Sequence, residues 1–366
     1  MTEKSMMLKE FFIKEFSDLY DKMRECDHSL PGKLNPYHEE GDVWTHTEMV
    51  LDALPSTVSD SVVVAALLHD IGKVYTREVT PEGKVRFFNH ASRSTFEAID
   101  ILKVIYDNLF DFFNTFSVLN SDSFVHVLNL INLHYIFFNY TDSQTEKNAV
   151  KLAKKLSGYG LTFYNDLVDL VKADHVGRIT SQKTKVSNEF FELVKVKIKN
   201  LIDNFDCSKN IKDNYIDLLI GIPYSGKSFF LENYVNNSDI VIISRDNLIM
   251  KKYPELSYNE AWKLVDQNAI NLELDSLFRS AVKDNKNIIV DMTNLSRKSR
   301  NSKLSQVSKN YNKKASVFYT GMGKIKERIK KRKDKNIDQL VLNRMMNSFQ
   351  LPTYSEFDEI YFKVTV

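Results

Sequence analysis

The chain has 366 residues, 43% hydrophobic and 27% charged, enough for about two domains with buried cores in an ordinary globular protein. Two cysteines, Cys26 and Cys207, exclude a disulfide framework or a zinc finger and point to a reducing compartment; with no apolar run near membrane-span length and no signal-peptide core, a cytoplasmic protein without a membrane partner is the expectation. The net charge of +2 hides an asymmetry, since residues from Lys212 onward carry 26 Lys and Arg against 18 Asp and Glu, about +8, which leaves about −6 for the remainder and fits a polyanionic ligand on the C-terminal part.

From Leu8 to about Ile202 the periodicity is helical almost throughout. Apolar residues recur at three- and four-residue spacing in Phe11 to Met23, Phe96 to Phe116, Phe124 to Phe138 and Leu161 to Val171, so the first domain is expected to be all-α. Its one excursion is Val79-Thr-Pro-Glu-Gly-Lys-Val-Arg-Phe-Phe, where Pro81 and Gly83 between strand formers predict a small hairpin or loop. Along this domain lie His46 in Val43-Trp-Thr-His-Thr, the pair His69-Asp70 after the apolar run Val62 to Leu68, His90 in Phe88-Asn-His, His134 in Leu130-Ile-Asn-Leu-His, and Asp174. Neighbouring residues on a helix point about 100° apart, so His69 and Asp70 can bracket an ion within a helical bundle. Imidazole with carboxylate suits Mn²⁺, Fe²⁺, Ni²⁺, Co²⁺ or Zn²⁺. A lone histidine in a helix is ordinarily a hydrogen-bonded structural residue, and that reading is kept for His28, His126 and His175.

The polar segment Ser181 to Asn188 leads into a Lys-rich amphipathic helix through about Asn200, and Asp203 to Asn214 is charged and poor in apolar residues. The boundary is placed there, giving domains 1–205 and 206–366. Beyond it short strands alternate with helices: Ile216 to Ile220, Ile240 to Ile243, Asn287 to Val290, Ala315 to Tyr319 and Ile360 to Val366, the pattern of a parallel sheet wrapped by helices. The first strand runs into Gly221-Ile222-Pro223-Tyr224-Ser225-Gly226-Lys227-Ser228, a complete phosphate-binding loop, with a helix predicted from Ser228 to Tyr234. Backbone N–H groups of such a loop face a triphosphate, Lys227 reaches its β- and γ-phosphates, and Ser228 ligates Mg²⁺, so ATP or another nucleoside triphosphate is the expected ligand. Asp246 follows the second strand, where a carboxylate can take the proton of an acceptor hydroxyl, although the sequence leaves the N-cap of the next helix equally open for it. Asp291, Thr293 and Asn294 end the third strand, placed to order Mg²⁺ waters or the acceptor, or to form a turn. Arg328 and Arg332 lie four apart in Lys324-Ile-Lys-Glu-Arg-Ile-Lys-Lys-Arg-Lys-Asp-Lys, which predicts one face of a basic helix able to act as a lid over ATP, or a solvated charged face.

Two resemblances extend these readings. Asn35-Pro-Tyr-His, Val43-Trp-Thr-His-Thr, Ala66-Leu-Leu-His-Asp-Ile-Gly-Lys and Lys84-Val-Arg-Phe-Phe-Asn-His resemble the HD phosphohydrolase superfamily, in the branch related to the HD domain of tRNA nucleotidyltransferases, over roughly Asn35 to Arg178. The resemblance implies a metal-dependent phosphohydrolase with His46, His69, Asp70 and Asp174 on one metal, His90 and His134 on a second, and Asp70 as a bridge. Lys73 and Arg178 would then contact phosphate, their structural alternative being helix-end charges facing solvent. The loop Gly-x-Pro-x-Ser-Gly-Lys-Ser, Ser244-Arg-Asp246, Asp291-x-Thr-Asn-Leu, the Arg328/Arg332 pair and the segment from Ile337 to Met346 resemble the 5′-hydroxyl polynucleotide kinase domain of phage polynucleotide kinase-phosphatases. This implies Asp246 as general base, Lys227 and Ser228 at the triphosphate and Mg²⁺, and the two arginines on ATP. Where that family has an arginine three positions after the catalytic Asp, this chain has Ile249, and Arg245, Lys251 or Lys252 are the candidates to replace it.

Jointly the two halves resemble bifunctional RNA end-healing enzymes, which implies phosphorylation of a 5′-hydroxyl on an RNA or DNA end and removal of a 2′/3′-phosphate or 2′,3′-cyclic phosphate, with an RNA ligase as functional partner. Two alternatives stay open at this point. One is a small-molecule kinase fused to a nucleotidase; the other makes the C-terminal domain a non-catalytic nucleic-acid clamp.

Overall fold

The computed structural model describes residues 1–109, 121–182, 185–204, 212–234, 239–332, 335 and 337–366. Cys207 and the expected helical stretch beyond Leu109 lie outside the described residues. Contacts divide the chain into two compact units, Met1–Phe205 and Asp206–Val366. Among the described residues no helix is long and apolar enough to cross a membrane.

The first unit is mostly helical. Polar residues start its helices: Thr2, Asp42, Ser59, Thr145 and Ser187 each accept a backbone N–H of the first turn of Glu3–Glu15, Val43–Ala53, Asp60–Leu68, Glu146–Leu156 and Asn188–Asp203. The expected single helix over Phe11 to Met23 is two, Glu3–Glu15 and Ser17–Arg24, because Phe16 leaves helical geometry at φ −125°. The segment Asp60–Leu68 is apolar all round, and Val62 to Leu68 are buried on every side against the helices Val43–Ala53, Ser121–Leu133 and Gly160–Val176. The Pro-Gly excursion is an antiparallel hairpin of β1 (Arg77–Val79) and β2 (Val85–Phe87).

Two glycines let the elements of this unit close on one another. A Cβ on Gly72 would lie 2.3 Å from the carbonyl oxygen of His90 and 2.4 Å from the amide of Ser94, and one on Gly177 would lie 2.6 Å from the amide of Val50. Gly72 therefore seats the turn after His69-Asp70 against the helix His90–Leu109, and Gly177 seats the end of Gly160–Val176 against Val43–Ala53.

The second unit is an α/β domain on a five-stranded, wholly parallel sheet: β3 (Asn214–Ile220), β4 (Ile240–Ser244), β5 (Asn287–Asp291), β6 (Tyr311–Thr320) and β7 (Glu359–Thr365), in the order β4-β5-β3-β6-β7. Ile216, Leu218, Leu219 and Ile220 are fully buried, as a central parallel strand requires. Register places Ser244 opposite Asp291 and Asp291 opposite Leu219, so both acidic strand ends and the loop after β3 meet at one edge of the sheet.

Candidate functional site

In the helical unit, six side chains from five places in the sequence converge. His46 lies on Val43–Ala53; His69 caps Asp60–Leu68; Asp70 sits in the turn beyond it rather than on the helix, because the helix ends at Leu68. His90 opens the helix His90–Leu109, His134 follows Ser121–Leu133, and Asp174 lies on the last turn of Gly160–Val176. His46, His69 and Asp174 form one group with ligand atoms within 4.8 Å of one another, and Asp70, His90 and His134 form a second. Asp70 spans both: its Oδ2 is 3.2 Å from His69 Nε2 and 3.5 Å from His46 Nε2, its Oδ1 3.3 Å from His90 Nε2 and 3.9 Å from His134 Nε2.

Hydrogen bonds fix the proton on one nitrogen of each of the four imidazoles. The Nδ1 atoms of His46, His69, His90 and His134 face the carbonyls of Gly177, Ala66, Phe87 and Ile131 at 3.1, 2.7, 2.9 and 2.7 Å, and a carbonyl can only accept, so each Nδ1 carries its proton. Burial pushes His90 down to about 4 and His134 down to about 3, which leaves both neutral with bare Nε2 lone pairs, yet those two nitrogens are 3.3 Å apart. His46 Nε2 lies 3.4 Å from His69 Nε2 and 3.0 Å from Asp174 Oδ1; burial opposes charge on His46, but its hydrogen bonds to Asp174 and Glu40 prevail and raise its pKa. Burial opposes charge on Asp70 and Asp174, but His69 and Lys73 around the first and Arg178 and His46 around the second hold both well below the usual carboxylate range. Asp70 Oδ1 and Asp174 Oδ2 are buried and make no hydrogen bond among the described residues. This donor set, imidazole nitrogens with two buried carboxylates, could hold divalent cations.

The solvent-facing reading of Lys73 and Arg178 is corrected. Lys73 is 3% exposed, 2.8 Å from Asp70 Oδ2 and 3.0 Å from His28 Nε2; Arg178 donates to Asp174 Oδ1 at 2.7 Å and lies over the Phe138 ring. His28 is no isolated structural histidine either. It stacks on His38 with ring centroids 4.3 Å apart, and His38, Glu40 and His28 form a third group of potential ligands. The ammonium of Lys73 already occupies the lone-pair side of His28, so this group is a supporting layer rather than a third ion site. Glu40, which the sequence reading passed over, is 2.7 Å from His38 Nδ1 and 3.0 Å from His46 Nδ1 with its side chain fully buried, and so braces His46 from behind. Its only sequence signal was its place in His38-Glu39-Glu40, just ahead of the Asp42 cap. His126 is hydrogen-bonded to Asp166 at 2.8 Å and His175 packs under Phe138, both outside the cluster.

In the α/β unit, Pro223 to Ser228 of the loop, Arg245, Asp246, Asp291, Asn294, Arg328 and Arg332 line one cavity of about 820 Å³. The loop turns through positive φ at Tyr224 (65°) and Gly226 (103°), and the helix starts at Lys227. Lys227 Nζ donates to the carbonyls of Gly221 and Ile222 at 2.8 and 2.9 Å; burial pushes its ammonium down to about 8 despite the nearby Asp291 carboxylate. Arg328 donates to the Tyr224 carbonyl at 2.7 Å and pins the loop from above. The lid helix is shorter than expected. It ends at Lys331, and Arg332 is its C-cap in an extended conformation, so the two arginines reach the cavity from the helix and from its extended C-cap rather than from one helical face.

The capping alternative for Asp246 is also overturned. Ser244 caps Arg245–Lys252, accepting from the amide of Asn247, and the same hydroxyl donates to Asp291 Oδ2 at 3.1 Å. Asp246 is left facing the cavity, 2.7 Å from Lys335 Nζ and 3.3 Å from the Tyr258 hydroxyl. Asn294, at φ 47°, ties β3 to β5 through the carbonyls of Leu219 and Val290, while Thr293 lines the cavity. Ile249 is fully buried in its helix. Of its proposed replacements, Arg245 lines the cavity and also donates to Gln267 and Asn271, whereas Lys251 and Lys252 are exposed and do not line it. Lys303 and Ser299, which the sequence reading did not single out, line the same wall.

Comparison with known proteins agrees on this half of the chain. A family model described as an AAA domain matches residues 217–352. With its phosphate-binding loop and parallel five-stranded sheet, the second unit is consistent with a P-loop kinase fold. No curated protein matches the chain. Among solved structures, a chain of the Pnkp1/Rnl/Hen1 RNA repair complex matches at 20% identity and a TM-score of 0.32 over 38% of this chain, and a chain in a second structure of the Pnkp1/Rnl/Hen1 complex matches at 22% identity and 0.28 over 35%. This chain spans 46% and 42% of those chains.

Proposed function

We propose that the chain heals nucleic-acid ends: the P-loop unit transfers the γ-phosphoryl group of ATP·Mg²⁺ to a 5′-hydroxyl, and the helical unit hydrolyses a 2′/3′-phosphate or 2′,3′-cyclic phosphate on RNA, leaving ends that an RNA ligase can join. The observation that carries the kinase half is Asp246, released from capping by Ser244 and set in one cavity with Lys227, Ser228 and Asp291. There Asp246 takes the proton of the attacking hydroxyl, Lys227 and the loop amides hold the triphosphate, Asp291 faces Mg²⁺ waters, and Arg328 and Arg332 neutralise the transferring group.

The observation that supports the hydrolytic half is the pair of converging His/Asp groups with Asp70 between them. His46, His69 and Asp174 would hold one divalent ion and His90 and His134 another; such ions lower the pKa of bound water and neutralise phosphoryl oxygens. The protein's own part is to keep four imidazoles in the Nδ1–H tautomer, to brace His46 with Glu40, and to balance Asp70 and Asp174 with Lys73 and Arg178.

The deciding experiment incubates one RNA bearing a 5′-hydroxyl and a 3′-phosphate with ATP and Mg²⁺, with or without Mn²⁺, Ni²⁺ or Co²⁺, and scores both ends. Lys227→Ala should abolish 5′ phosphorylation alone and Asp70→Ala dephosphorylation alone. Unchanged 5′ phosphorylation in Lys227→Ala, or loss of both activities in either variant, would refute two independent sites; turnover of free nucleosides with no oligonucleotide phosphorylated would replace this reading with a small-molecule kinase.

A further inference from the structure

Parallel sheets are covered on both faces, and their central strands carry almost unbroken apolar runs. Here one face of the sheet breaks that rule at its centre. Asp217 on β3 and Ser316 on β6 are buried, the Ser316 hydroxyl donates to Asp217 Oδ2 at 2.9 Å, and Asp217 Oδ1 is buried with no hydrogen-bond partner among the described residues. The two form the floor of a groove of about 340 Å³ walled by Tyr215, Phe230, Tyr234 and Tyr361. Lys314 and Lys363 sit on its rim, with their ammonium groups 4.9 Å from the Tyr215 ring and 4.8 Å from the Phe230 ring. Phe230 and its neighbour Phe229 belong to the short helix after the phosphate loop; Phe229 lines the P-loop cavity and Phe230 lines this groove, so one helix borders both.

We propose that this groove binds an unstacked base of single-stranded RNA, held between the aromatic walls, read by the Asp217 carboxylate through an amino or imino hydrogen, and anchored by Lys314 and Lys363 on the flanking phosphates. Aromatic walls with cationic rims suit a base and its backbone, whereas a protein partner would leave the buried carboxylate oxygen facing apolar side chains. Burial raises the pKa of Asp217 above the usual carboxylate range, with the Ser316 hydrogen bond and Lys314 working against the rise, so the carboxyl gains from an external donor. The inference rests on the polynucleotide reading of the kinase for the identity of the strand; the groove itself lies outside the catalytic residues.

The test measures the full chain's affinity for a fluorescein-labelled 15-nucleotide single-stranded RNA by anisotropy at fixed salt, together with kinase turnover on a nucleoside 3′-monophosphate. Tyr361→Ala, at an exposed position, and Lys363→Gln, at a half-buried one, should each weaken RNA binding about fivefold or more while turnover on the mononucleotide stays unchanged. The isosteric Asp217→Asn should alter the ranking among oligo-A, oligo-C, oligo-G and oligo-U. RNA affinity within twofold of wild type in the Tyr361→Ala, Lys363→Gln double variant overturns the proposal. So does a Tyr361→Cys thiol that resists maleimide in the folded protein, because that face would then be covered by protein. Binding needs no catalysis, so a chain that binds RNA here yet phosphorylates no oligonucleotide would count against the kinase reading and leave the groove standing.

Discussion

The two units assemble their candidate sites in opposite ways. The P-loop unit concentrates its anion-binding groups in eight consecutive residues at the rim of a cavity of about 820 Å³, and the loop's own backbone carries the donors. The helical unit draws ligands from His46 to Asp174 and buries them almost completely, so its site exists only when at least five segments are packed together. The first keeps its phosphate-facing backbone within one loop, although Asp246, Asp291 and Arg328 come to it from other elements; the second is a property of the whole bundle. Substitutions far from the chemistry should therefore damage one unit and spare the other.

The largest expected effect tests that asymmetry. Gly177→Val places side-chain atoms against the backbone of Val50, with overpacking expected to cost about 3 kcal/mol or more, and should abolish metal-dependent hydrolysis while ATP-dependent phosphorylation persists. Equal loss of both activities would refute separate units. Next, Asp246→Asn should lower kinase kcat by about 10²- to 10⁴-fold without changing ATP affinity more than about twofold, as a general base requires; a change confined to KM would make Asp246 a binding group. A saturating divalent ion at about 100 times its Kd should stabilise the helical unit by about 2.7 kcal/mol, read as a shift of its thermal transition that Asp70→Asn removes. ATP affinity, measured without turnover, should fall as pH rises through about 8, because burial lowers the Lys227 pKa and the loop loses its ammonium above that value; Lys227→Arg, charged throughout, should bind with no such fall. Smallest, Ser244→Ala removes the cap of Arg245–Lys252 and should lower the stability of the α/β unit by about 1 kcal/mol, with Ser244→Thr retaining most of it.

The same contrast governs how much was legible beforehand. The P-loop and five parallel strands could be read from local pattern, since each is a contiguous run whose period or spacing reports its own structure; the ends moved by at most a few residues, as β6 begins at Tyr311 rather than Ala315. What local pattern could not decide was competition between neighbours: whether Ser244 or Asp246 caps the helix, or whether Arg332 still belongs to the helix carrying Arg328. In the helical unit the six converging residues had been picked out, but their surroundings had not. Lys73 and Arg178 read as phosphate contacts or helix-end charges; the spacing to Asp70 and Asp174, three and four residues, is present in their own segments, but the burial of those pairs and the approach of His28 to Lys73 depend on the rest of the bundle. Glu40 was missed for the same reason, since its partner His46 turns toward it only after folding. Gly72 and Gly177 held a signal that was available, a glycine directly after each acidic ligand segment, whose meaning depends on the helix it meets.

The Ser244 hydroxyl has one further consequence. Its single proton goes to Asp291 while its oxygen accepts from Asn247, and it reaches both because β4 and β5 are paired with Ser244 abreast of Asp291. A slip of one residue between those strands would turn Asp291 to the opposite face and cut this link, even if the apolar contacts of the sheet largely survived. On the proposed kinase reading, activity recovered after refolding would therefore report correct pairing of these strands, where recovered compactness alone would not.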